Sequence, residues 1–430
     1  MKILIVNKFL YPNGGSETYI FKVGGQLQKM GHEVEYFGME HEGRIVGNHA
    51  ECYTADMDFH GGGLSKLLYP FKIIYSRETY QKITTVLEDF KPDVVHLNNF
   101  HFQLTPSIIY AIRKFGRKQG RKIPIVMTAH DSQLVCPNHL MTVPSDGRIC
   151  FDCEKGHFGC CTKNRCIHDS KVKSLLASAE AYLYRFLKTY RYLDLLICPS
   201  EFLKSKMATN PLLAERATVM HNFVGVPEDN SWKTISTNGE RAVDEGAASN
   251  EEAVVHKKQD YVLYFGRYSS EKGIASLVKI CEQLPDIPFV FVGDGPLKEQ
   301  VENLSNVENR GFLSGDVLYQ TIAEAKLVLF PSECNENCPF SVMEAQMLGT
   351  PVLGSNLGGI PELIEEGKTG YILEAGNIAQ WTGKIQELWN NPAALEELTS
   401  ACAGVKFYTV EEYCDILLNK MQELCKGDGK

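Results

Sequence analysis

The sequence predicts an α/β protein of two doubly wound domains, each built on a parallel sheet between layers of helices. Two observations carry this prediction. In both halves of the chain, short apolar runs typical of buried strands alternate with helical patterns, which indicates βαβ units. Between the halves, residues 225–258 are rich in polar residues and poor in large apolar side chains, as expected of a linker.

The composition narrows the class of protein. The chain has 430 residues, enough for two or three domains, and its net charge of −9 argues against a dedicated nucleic-acid binder. No apolar run is long enough for a membrane-spanning helix, and the run near Met1 is too short for a signal peptide. We therefore expect a cytoplasmic protein whose 14 cysteines are thiols or metal ligands rather than disulfides.

The first domain is predicted over residues 1–224. The apolar run 3–6 is its first strand, and a glycine loop then leads into a helix over 17–30 that ends at Gly31. Strand, helix, strand, helix and strand follow at 34–37, 64–90, 93–97, 105–115 and 123–128. A Cys-rich insertion (132–170) interrupts this alternation, which resumes with a helix over 171–192 and a strand over 193–198.

The second domain is predicted over residues 259–405, after the linker 225–258 and before a C-terminal helical segment at 406–430. Its strands are predicted at 261–266, 289–292, 327–330 and 351–353, and the last helix at 410–425. This last helix can cross back to the first domain. Because ligands of doubly wound sheets bind at the carboxyl ends of the strands, we expect two domains facing a ligand-binding cleft.

A glycine-containing loop follows the first strand of each domain. The first holds Gly14 and Gly15, and the second holds Arg267 and Lys272 just before a helix. Helix N-termini offer N–H groups to anions, and Arg and Lys side chains bind phosphate oxygens. The second loop therefore predicts a diphosphate site, with solvated surface cations as the alternative. The first loop is equally typical of an ordinary strand-to-helix turn and lacks the dinucleotide motif G-x-G-x-x-G.

The segment from Pro331 to Ala345 is the most informative part of the second domain. Glu336 falls in a loop before a helix, and Glu344 falls in the second turn of that helix. Two carboxylates with this spacing can accept hydrogen bonds from two parts of one polyhydroxylated ligand. The turn that contains Gly293 and Gly295 is a weaker signal of the same kind.

Taken in order, these motifs resemble glycosyltransferase family 4, the retaining nucleotide-sugar transferases of the GT-B fold. The matching segments are Gly14-Gly15, 92–96, His130-Asp131, Pro199-Ser200, Arg267 with Lys272, 293–296, Glu336 with Glu344, 349–352 and 358–362. The resemblance covers most of the chain except the linker. It departs from the common pattern at Asn337-Cys338, which stand before Pro339 where many members have Pro-Phe-Gly directly after the first Glu. This departure leaves the identity of the donor sugar open.

The resemblance implies a role for each matched residue. Arg267 and Lys272 would hold the donor diphosphate, Glu336 would orient the transferred sugar, and Glu344 would bind the ribose. His130 would reach the donor sugar near the reacting centre. The other implied donor-binding residues are Gly14, Gly15, Gly293, Gly295, Asn309, Gly311, Asn337, Pro339, Phe340 and Ser341. The family chemistry would need no catalytic metal, because cationic side chains stabilise the departing phosphate, and no protein nucleophile.

Two further patterns contain possible metal ligands. Cys136, Cys150, Cys153 and Cys166 have the number and spacing of ligands for a structural zinc, and reduced thiols that pack a loop are the alternative. Residues 56–58 form a D-x-D sequence in a Gly-rich connection, which we interpret as a solvated loop.

Basic residues cluster at 113–122, without acidic neighbours in sequence, and along the predicted helix 171–192, which also carries several large apolar residues. They could contact anionic lipid headgroups or a lipid diphosphate acceptor at the inner membrane surface. The alternative is a solvated basic face over a helix packed on the core.

We therefore expect a hexosyltransferase that moves a hexose or N-acetylhexosamine from a UDP- or GDP-sugar to a glycan or lipid-linked glycan. The expected context is bacterial surface-polysaccharide synthesis, with no nucleic-acid partner. Two alternatives are another GT-B enzyme, such as a nucleotide-sugar epimerase or a small-acceptor synthase, and a non-catalytic sugar-nucleotide-binding protein.

Overall fold

Residues 1–55, 73–225 and 258–427 are described by the computed structural model and form two α/β units. One unit comprises Met1–Asn222 with Tyr408–Lys430, and the other comprises Phe223–Phe407. The D-x-D sequence at 56–58 and most of the predicted linker lie outside the described residues.

The first unit contains a parallel six-stranded sheet with strand order β2-β1-β3-β4-β5-β6. Its strands are β1 (Lys2–Val6), β2 (Glu33–Phe37), β3 (Val94–Leu97), β4 (Ile125–Thr128), β5 (Leu195–Cys198) and β6 (Ala217–Val219). Ile3 of β1 pairs with Val34 of β2 on one side and with Val94 of β3 on the other. The strand core is apolar because helices cover both faces of the sheet.

Several helices of this unit begin after a residue whose side chain caps the first turn. They are α1 (Gly15–Lys29), α2 (Arg77–Phe90), α3 (Ser107–Lys118), α4 (Gly159–Lys163), α5 (Lys171–Phe186), α6 (Glu201–Met207) and α7 (Pro211–Ala214). The side chains of Ser76, Ser170 and Ser200 accept hydrogen bonds from the first turns of α2, α5 and α6.

Two predicted helices of the first unit need correction. The helix predicted over 64–90 lies partly outside the described residues, and α2 begins only at Arg77, because Ser76 is an extended N-cap (φ −89°, ψ 107°). The helix predicted over 171–192 ends at Phe186, because Lys188 adopts a left-handed conformation (φ 52°, ψ 37°) and Thr189–Tyr192 forms a separate 3₁₀ turn. Strand β6 was not predicted, because its three residues are only partly buried and form no continuous apolar run.

The second unit contains another parallel six-stranded sheet, with strand order β12-β11-β10-β7-β8-β9. Its strands are β7 (Val262–Phe265), β8 (Phe289–Val292), β9 (Val307–Asn309), β10 (Leu327–Phe330), β11 (Val352–Ser355) and β12 (Gly370–Leu373). Its helices are α8 (Ile274–Gln283), α9 (Lys298–Glu302), α10 (Gly315–Glu324), α11 (Phe340–Met347), α12 (Ile378–Trp389) and α13 (Pro392–Cys402). Strands β9 and β12 were not predicted, because partly exposed residues interrupt their apolar pattern.

The strand order places the possible ligand sites. In the second unit the chain adds strands on one side of β7 and then crosses to β10 on its other side. The loops after β7 and β10 therefore diverge in opposite directions and leave a crevice at the carboxyl ends of these two strands. In the first unit, β1 and β3 meet in the same way.

The last helix, α14 (Val410–Lys426), belongs to the first unit. A capping box between Thr409 and Glu412 starts it. The hydroxyl of its Tyr413 lies 2.9 Å from that of Tyr19 in α1. The predicted fold class, two doubly wound domains with a returning C-terminal helix, is thus confirmed. No helix in the described part of the chain is long and apolar enough to cross a membrane.

Candidate active site

A cavity of about 110 Å³ lies at the crevice between β7 and β10 in the second unit. Its lining comprises the ends of both strands and the loops that follow, namely Tyr264, Phe265, Gly266, Arg267, Lys272, Phe330, Pro331, Ser332 and Ser341. Both cations that the sequence predicted for a diphosphate line this cavity. Ser341, in the first turn of α11, brings a helix N-terminus to the same place.

Glycines allow the loops around this crevice to touch. Gly293 follows β8 with φ +149°, and a Cβ atom there would lie 1.9 Å from the carbonyl oxygen of Gly266. Gly358 has φ +62°, and a Cβ atom there would lie 2.0 Å from the carbonyl oxygen of Glu336. Any larger residue at either position would push apart the loops that carry Arg267 and Glu336.

Glu336 is held at the crevice by three side chains. Its Oε1 lies 2.5 Å from Nζ of Lys272, accepts a hydrogen bond from the Ser332 hydroxyl at 3.0 Å and lies 3.7 Å from Sγ of Cys334. Burial alone lowers the pKa of Lys272, but the adjacent Glu336 carboxylate raises it more, so the pKa lies above its usual value. Lys272 is therefore a cation at any physiological pH.

Glu344 occupies a different place from Glu336. It lies in the second turn of α11, where its charge adds to burial in raising the pKa of Tyr319, on α10, to about 12. At the start of α11, Pro339 is the N-cap residue and the Phe340 ring packs against Phe223 at a centroid distance of 5.7 Å.

The loop after β9 is joined to the loop after β8. The side-chain oxygen of Asn309 accepts hydrogen bonds from the hydroxyl of Tyr268 at 3.1 Å and from the amide of Gly311 at 3.0 Å. The carbonyl of Gly311 in turn accepts from the amide of Gly293 at 2.8 Å. The segment predicted to contact a base is thus fixed to the same edge of the sheet, although it does not line the cavity. The Asp294 carbonyl also accepts a hydrogen bond from the Tyr268 amide, which holds the turn of Gly295 beside it.

Asn335 is a polar residue that the sequence analysis did not single out. Its side-chain nitrogen is buried next to Glu336 and Asn337 in the chain and has no hydrogen-bond partner among the described residues. A buried N–H donor without a partner is costly and often marks a ligand contact. No feature of the sequence distinguished Asn335 from its neighbours, because its burial depends on how the loop folds.

Gly14 and Gly15 lie at the N-terminus of α1 in the first unit, as predicted. Gly14 is the N-cap and Gly15 the first helical residue, and both are exposed. Glu17 holds this loop in place, because its Oε1 accepts hydrogen bonds from the Asn7 side chain and the Ser16 hydroxyl, each at 2.8 Å. Asn7 also accepts from the amide of Asn99, which follows β3.

His130 follows β4 at the same sheet edge of the first unit. Its Nε2 lies 2.9 Å from the side-chain oxygen of Asn98, and its ring packs edge-on against Tyr19 at 4.9 Å. Burial lowers the pKa of His130 to about 3, so the imidazole is neutral near pH 7. It can therefore exchange hydrogen bonds with a sugar hydroxyl but contributes no charge.

The four cysteines predicted as zinc ligands lie around one small cavity of about 10 Å³, together with Cys161. The thiols of Cys153, Cys161 and Cys166 pack with Phe158 in a small buried cluster. In residues 1–55, 73–225 and 258–427, no three His, Cys, Asp or Glu side chains are placed to hold a metal ion. The arrangement brings Cys136, Cys150, Cys153 and Cys166 together without forming a coordination site, and the zinc remains a prediction.

Two family models match the chain, one on each side of the linker. The model described as Glycosyltransferase Family 4 matches residues 13–226, and the model described as Glycosyl transferases group 1 matches residues 248–403. The first matched range ends at residue 226, close to the boundary between the two structural units at residues 222 and 223.

Curated relatives match mainly in part of the chain. The sulfoquinovosyl transferase SQD2 of Arabidopsis thaliana is 34% identical over 146 residues, 33% of this chain and 28% of the relative. A GDP-mannose-dependent alpha-mannosyltransferase of Corynebacterium glutamicum is 33% identical over 157 residues, 36% of this chain and 38% of the relative. The chain thus spans well under half the length of these two relatives.

Solved structures share the fold over nearly the whole chain. HepE of Anabaena in complex with UDP has a TM-score of 0.62 at 18% identity, covering 98% of this chain and 100% of that chain. Sucrose-phosphate synthase of Thermosynechococcus elongatus has a TM-score of 0.63 at 15% identity, covering 99% of both chains. At these identities the likeness establishes the fold.

Proposed function

This chain belongs to the family 4 glycosyltransferases, and on that premise we propose that it is a retaining hexosyltransferase. It transfers a hexose or N-acetylhexosamine from a nucleotide-diphosphate sugar to a glycan or lipid-linked glycan, in bacterial surface-polysaccharide synthesis. The observation that carries the proposal is the pairing of Lys272 with Glu336 beside the cavity that Arg267 lines.

In the proposed mechanism, residues of the second unit bind the leaving group and stabilise its charge. The diphosphate lies against Arg267, Lys272 and the N-terminus of α11, where fixed positive charge stabilises the negative charge that develops as the sugar bond breaks. Because Arg267 and Lys272 already line one cavity, little reorganisation is needed at the moment of reaction. This arrangement supports a reaction that requires no catalytic metal.

Glu336 has a second part in this proposal. A diphosphate at Lys272 competes with the Glu336 carboxylate for the ammonium, which releases carboxylate lone pairs toward the hydroxyls of the transferred sugar. The acceptor hydroxyl attacks the anomeric carbon on the face that the diphosphate leaves, and its proton passes to the departing phosphate. Glu344, together with the segment of Asn309 and Gly311, is proposed to hold the nucleoside.

The donor is tested first by calorimetric titration with UDP, GDP, ADP and their sugar conjugates, without added metal. HepE, which shares the fold, was solved with UDP-glucose, whereas one sequence relative is named as GDP-mannose-dependent, so UDP- and GDP-sugars are the leading candidates. We expect saturable binding of one base only. Transfer from that donor to glycan and lipid-linked acceptors is then followed by mass spectrometry with EDTA present, and EDTA should leave the rate unchanged.

The same assay separates the alternatives. Conversion of the donor without any acceptor would establish a nucleotide-sugar epimerase, and transfer only to small sugars would establish a small-acceptor synthase. Nucleotide binding without turnover across all acceptors would favour a non-catalytic binding protein. Absence of binding to every nucleotide would refute the assignment of Arg267 and Lys272 to a diphosphate.

A further inference from the structure

Helix α5 (Lys171–Phe186) in the first unit presents several large apolar side chains to solvent, although its Tyr184 is buried. Val172 is 77% exposed, Leu175 58% and Phe186 83%. Spacings of three and eleven residues place these three on one side of the helix, and Leu183 (38% exposed) lies on the same side. We call these four residues the apolar stripe. A surface helix normally packs its apolar side against the core. In α5 the apolar stripe faces solvent instead.

The inward side of α5 combines the buried Ala177 and Tyr184 with several polar contacts. The Ser178 hydroxyl donates to the carbonyl of Phe158 at 2.8 Å, and the Ser174 hydroxyl accepts from the amide of Ile167 at 2.9 Å. Glu180 is also buried there, and burial raises its pKa to about 8, so it is mostly protonated near pH 7. The helix is therefore docked without using its apolar stripe, which is left for another apolar medium.

Cations flank the apolar stripe at both ends. Lys171 and Lys173 lie at its N-terminal end and Lys188 just beyond its C-terminal end, all exposed. None of the three forms a salt bridge with an acidic side chain in the described part of the chain. In a protein of net charge −9, this concentration of unpaired cations around exposed apolar residues indicates an anionic, partly apolar counterpart.

The first unit also contains a basic cavity of about 600 Å³, formed by residues of 113–123 and of 191–194. Arg113, Arg117, Arg121, Lys122 and Arg191 line it, and Asp194 is the acidic residue in the lining. Arg191 is five positions after Phe186 of the stripe, so at most about 18 Å of chain lies between them.

The charges in this cavity are only partly compensated. Asp194 pairs with Arg113 at 2.7 Å and with Lys122 at 2.8 Å, and Arg121 lies 3.8 Å from Asp93. The basic run, which has no acidic neighbour in sequence, therefore has acidic neighbours in space, because Asp93 and Asp194 lie just before β3 and β5. The structure shows no ion pair for Arg117 or Arg191 among the described residues, so the cavity keeps a positive excess.

We propose that the apolar stripe and the basic cavity together form a docking surface for an anionic phospholipid bilayer. The stripe enters the boundary between headgroups and acyl chains, and the cavity binds headgroup phosphates. A membrane is favoured over a protein partner because the exposed apolar side chains lie along one side of a single helix and exposed cations lie at both ends of it. This proposal does not depend on the transfer reaction, so either can fail alone.

The test is flotation of the full chain with vesicles of phosphatidylcholine alone and with about a third phosphatidylglycerol. We expect binding to the anionic vesicles only, weakened by salt. Leu175→Ser with Phe186→Ser should reduce that binding roughly tenfold through lost apolar insertion. Arg117→Ala with Arg191→Ala should reduce it several-fold and flatten its salt dependence.

Matched controls keep the result interpretable. Val317→Ser removes a side chain that is 46% exposed in the second unit, and Lys368→Ala removes an exposed lysine there; both should leave vesicle binding unchanged. Unchanged melting temperatures would show that all variants are folded. Equal binding to neutral vesicles, or binding that the Leu175 and Phe186 changes do not affect, would overturn the proposal. Release by millimolar inorganic phosphate alone would show a free-phosphate site instead.

Discussion

The ammonium of Lys272 and the carboxylate of Glu336 form a salt bridge, with Nζ 2.5 Å from Oε1, between loops 64 residues apart in the sequence. The two side chains were predicted to serve different parts of one donor, the diphosphate and the sugar. Their pairing means that a ligand phosphate at Lys272 must compete with Glu336. Binding of the diphosphate and orientation of the sugar are thus coupled through one contact.

Replacing Glu336 with Gln should separate transfer from nucleotide binding. We expect the transfer rate to fall by roughly a hundredfold or more, because the sugar loses a charged acceptor. Affinity for the nucleoside diphosphate should stay the same or rise a few-fold, because Lys272 loses its competitor. Calorimetry and initial rates measure the two effects. Glu365→Gln, which removes one partner of the exposed pair with Lys368, is the matched control. A loss of affinity equal to the loss of rate would contradict the sugar role.

Replacing Lys272 with Ala should act on the nucleotide itself. A charged hydrogen bond to phosphate contributes about 1.5–3 kcal/mol, so the affinity for the nucleoside diphosphate should fall roughly ten- to a hundredfold. The affinity for the nucleoside without phosphates should not change, and calorimetry of both ligands provides the comparison. An unchanged diphosphate affinity would mean that Lys272 only neutralises Glu336.

Gly358 offers a test of loop packing with an internal control. Gly358→Ala and Gly367→Ala both place a side chain at positive φ, but a Cβ at 358 meets the Glu336 backbone and one at 367 meets open space. Gly367→Ala should cost about 1 kcal/mol in the free energy of unfolding. Gly358→Ala should cost more and should also lower the transfer rate, because Glu336 moves. Equal effects of the two changes on stability and rate would show that the loop contact is unimportant.

The stability of the first unit should decline in mild acid. Burial lowers the pKa values of His96, His101 and His130 to about 3 each, against 6.5 for an unburied histidine. Between pH 6.5 and 3 the unfolded chain therefore binds more protons than the folded unit, so stability present above pH 6.5 is lost as the pH falls. Denaturation curves at several pH values measure the loss. NMR signals of the His130 ring should not titrate between pH 5 and 8; a titration there would refute its neutral role.

A structural zinc in the Cys-rich insertion is the remaining prediction. We expect roughly one zinc ion per chain by elemental analysis, because five thiols surround one cavity in a segment with little regular structure. Chelation should then lower the melting temperature, and Cys153→Ser should lower both the zinc content and the melting temperature. Zinc-free protein whose melting is insensitive to chelators would mean that the thiols simply pack the insertion.

Local pattern was enough to place most strands and helices. A buried parallel strand must be apolar on both faces. Apolar runs such as 3–6 and 289–292 therefore predict strands without information from the rest of the chain. The predicted helix start at 171 agrees with that of α5, whose first turn Ser170 caps, whereas the start of α2 after Ser76 was missed. Strands β6, β9 and β12 escaped prediction because they are short and partly exposed, and such strands depend on their neighbours for definition.

The sequence predicted several residues of the candidate site, but it did not predict the contacts among them. The positions of Arg267, Lys272 and Glu336 after strands of one sheet placed them at a common edge. That Lys272 binds Glu336, and that Asn335 buries an unpaired donor beside it, depends on how separate loops close over that edge. A sequence pattern carries no record of such loop closure.

Helix α5 shows most directly what only the folded chain decides. Helical periodicity places Val172, Leu175 and Phe186 on one side, and the usual inference is that this side packs on the core. In the structure the opposite side is buried, and Ala177 and Tyr184 lie there with Ser174, Ser178 and Glu180. Periodicity tells which side chains share a face, whereas only the packing of the other elements determines which face is covered.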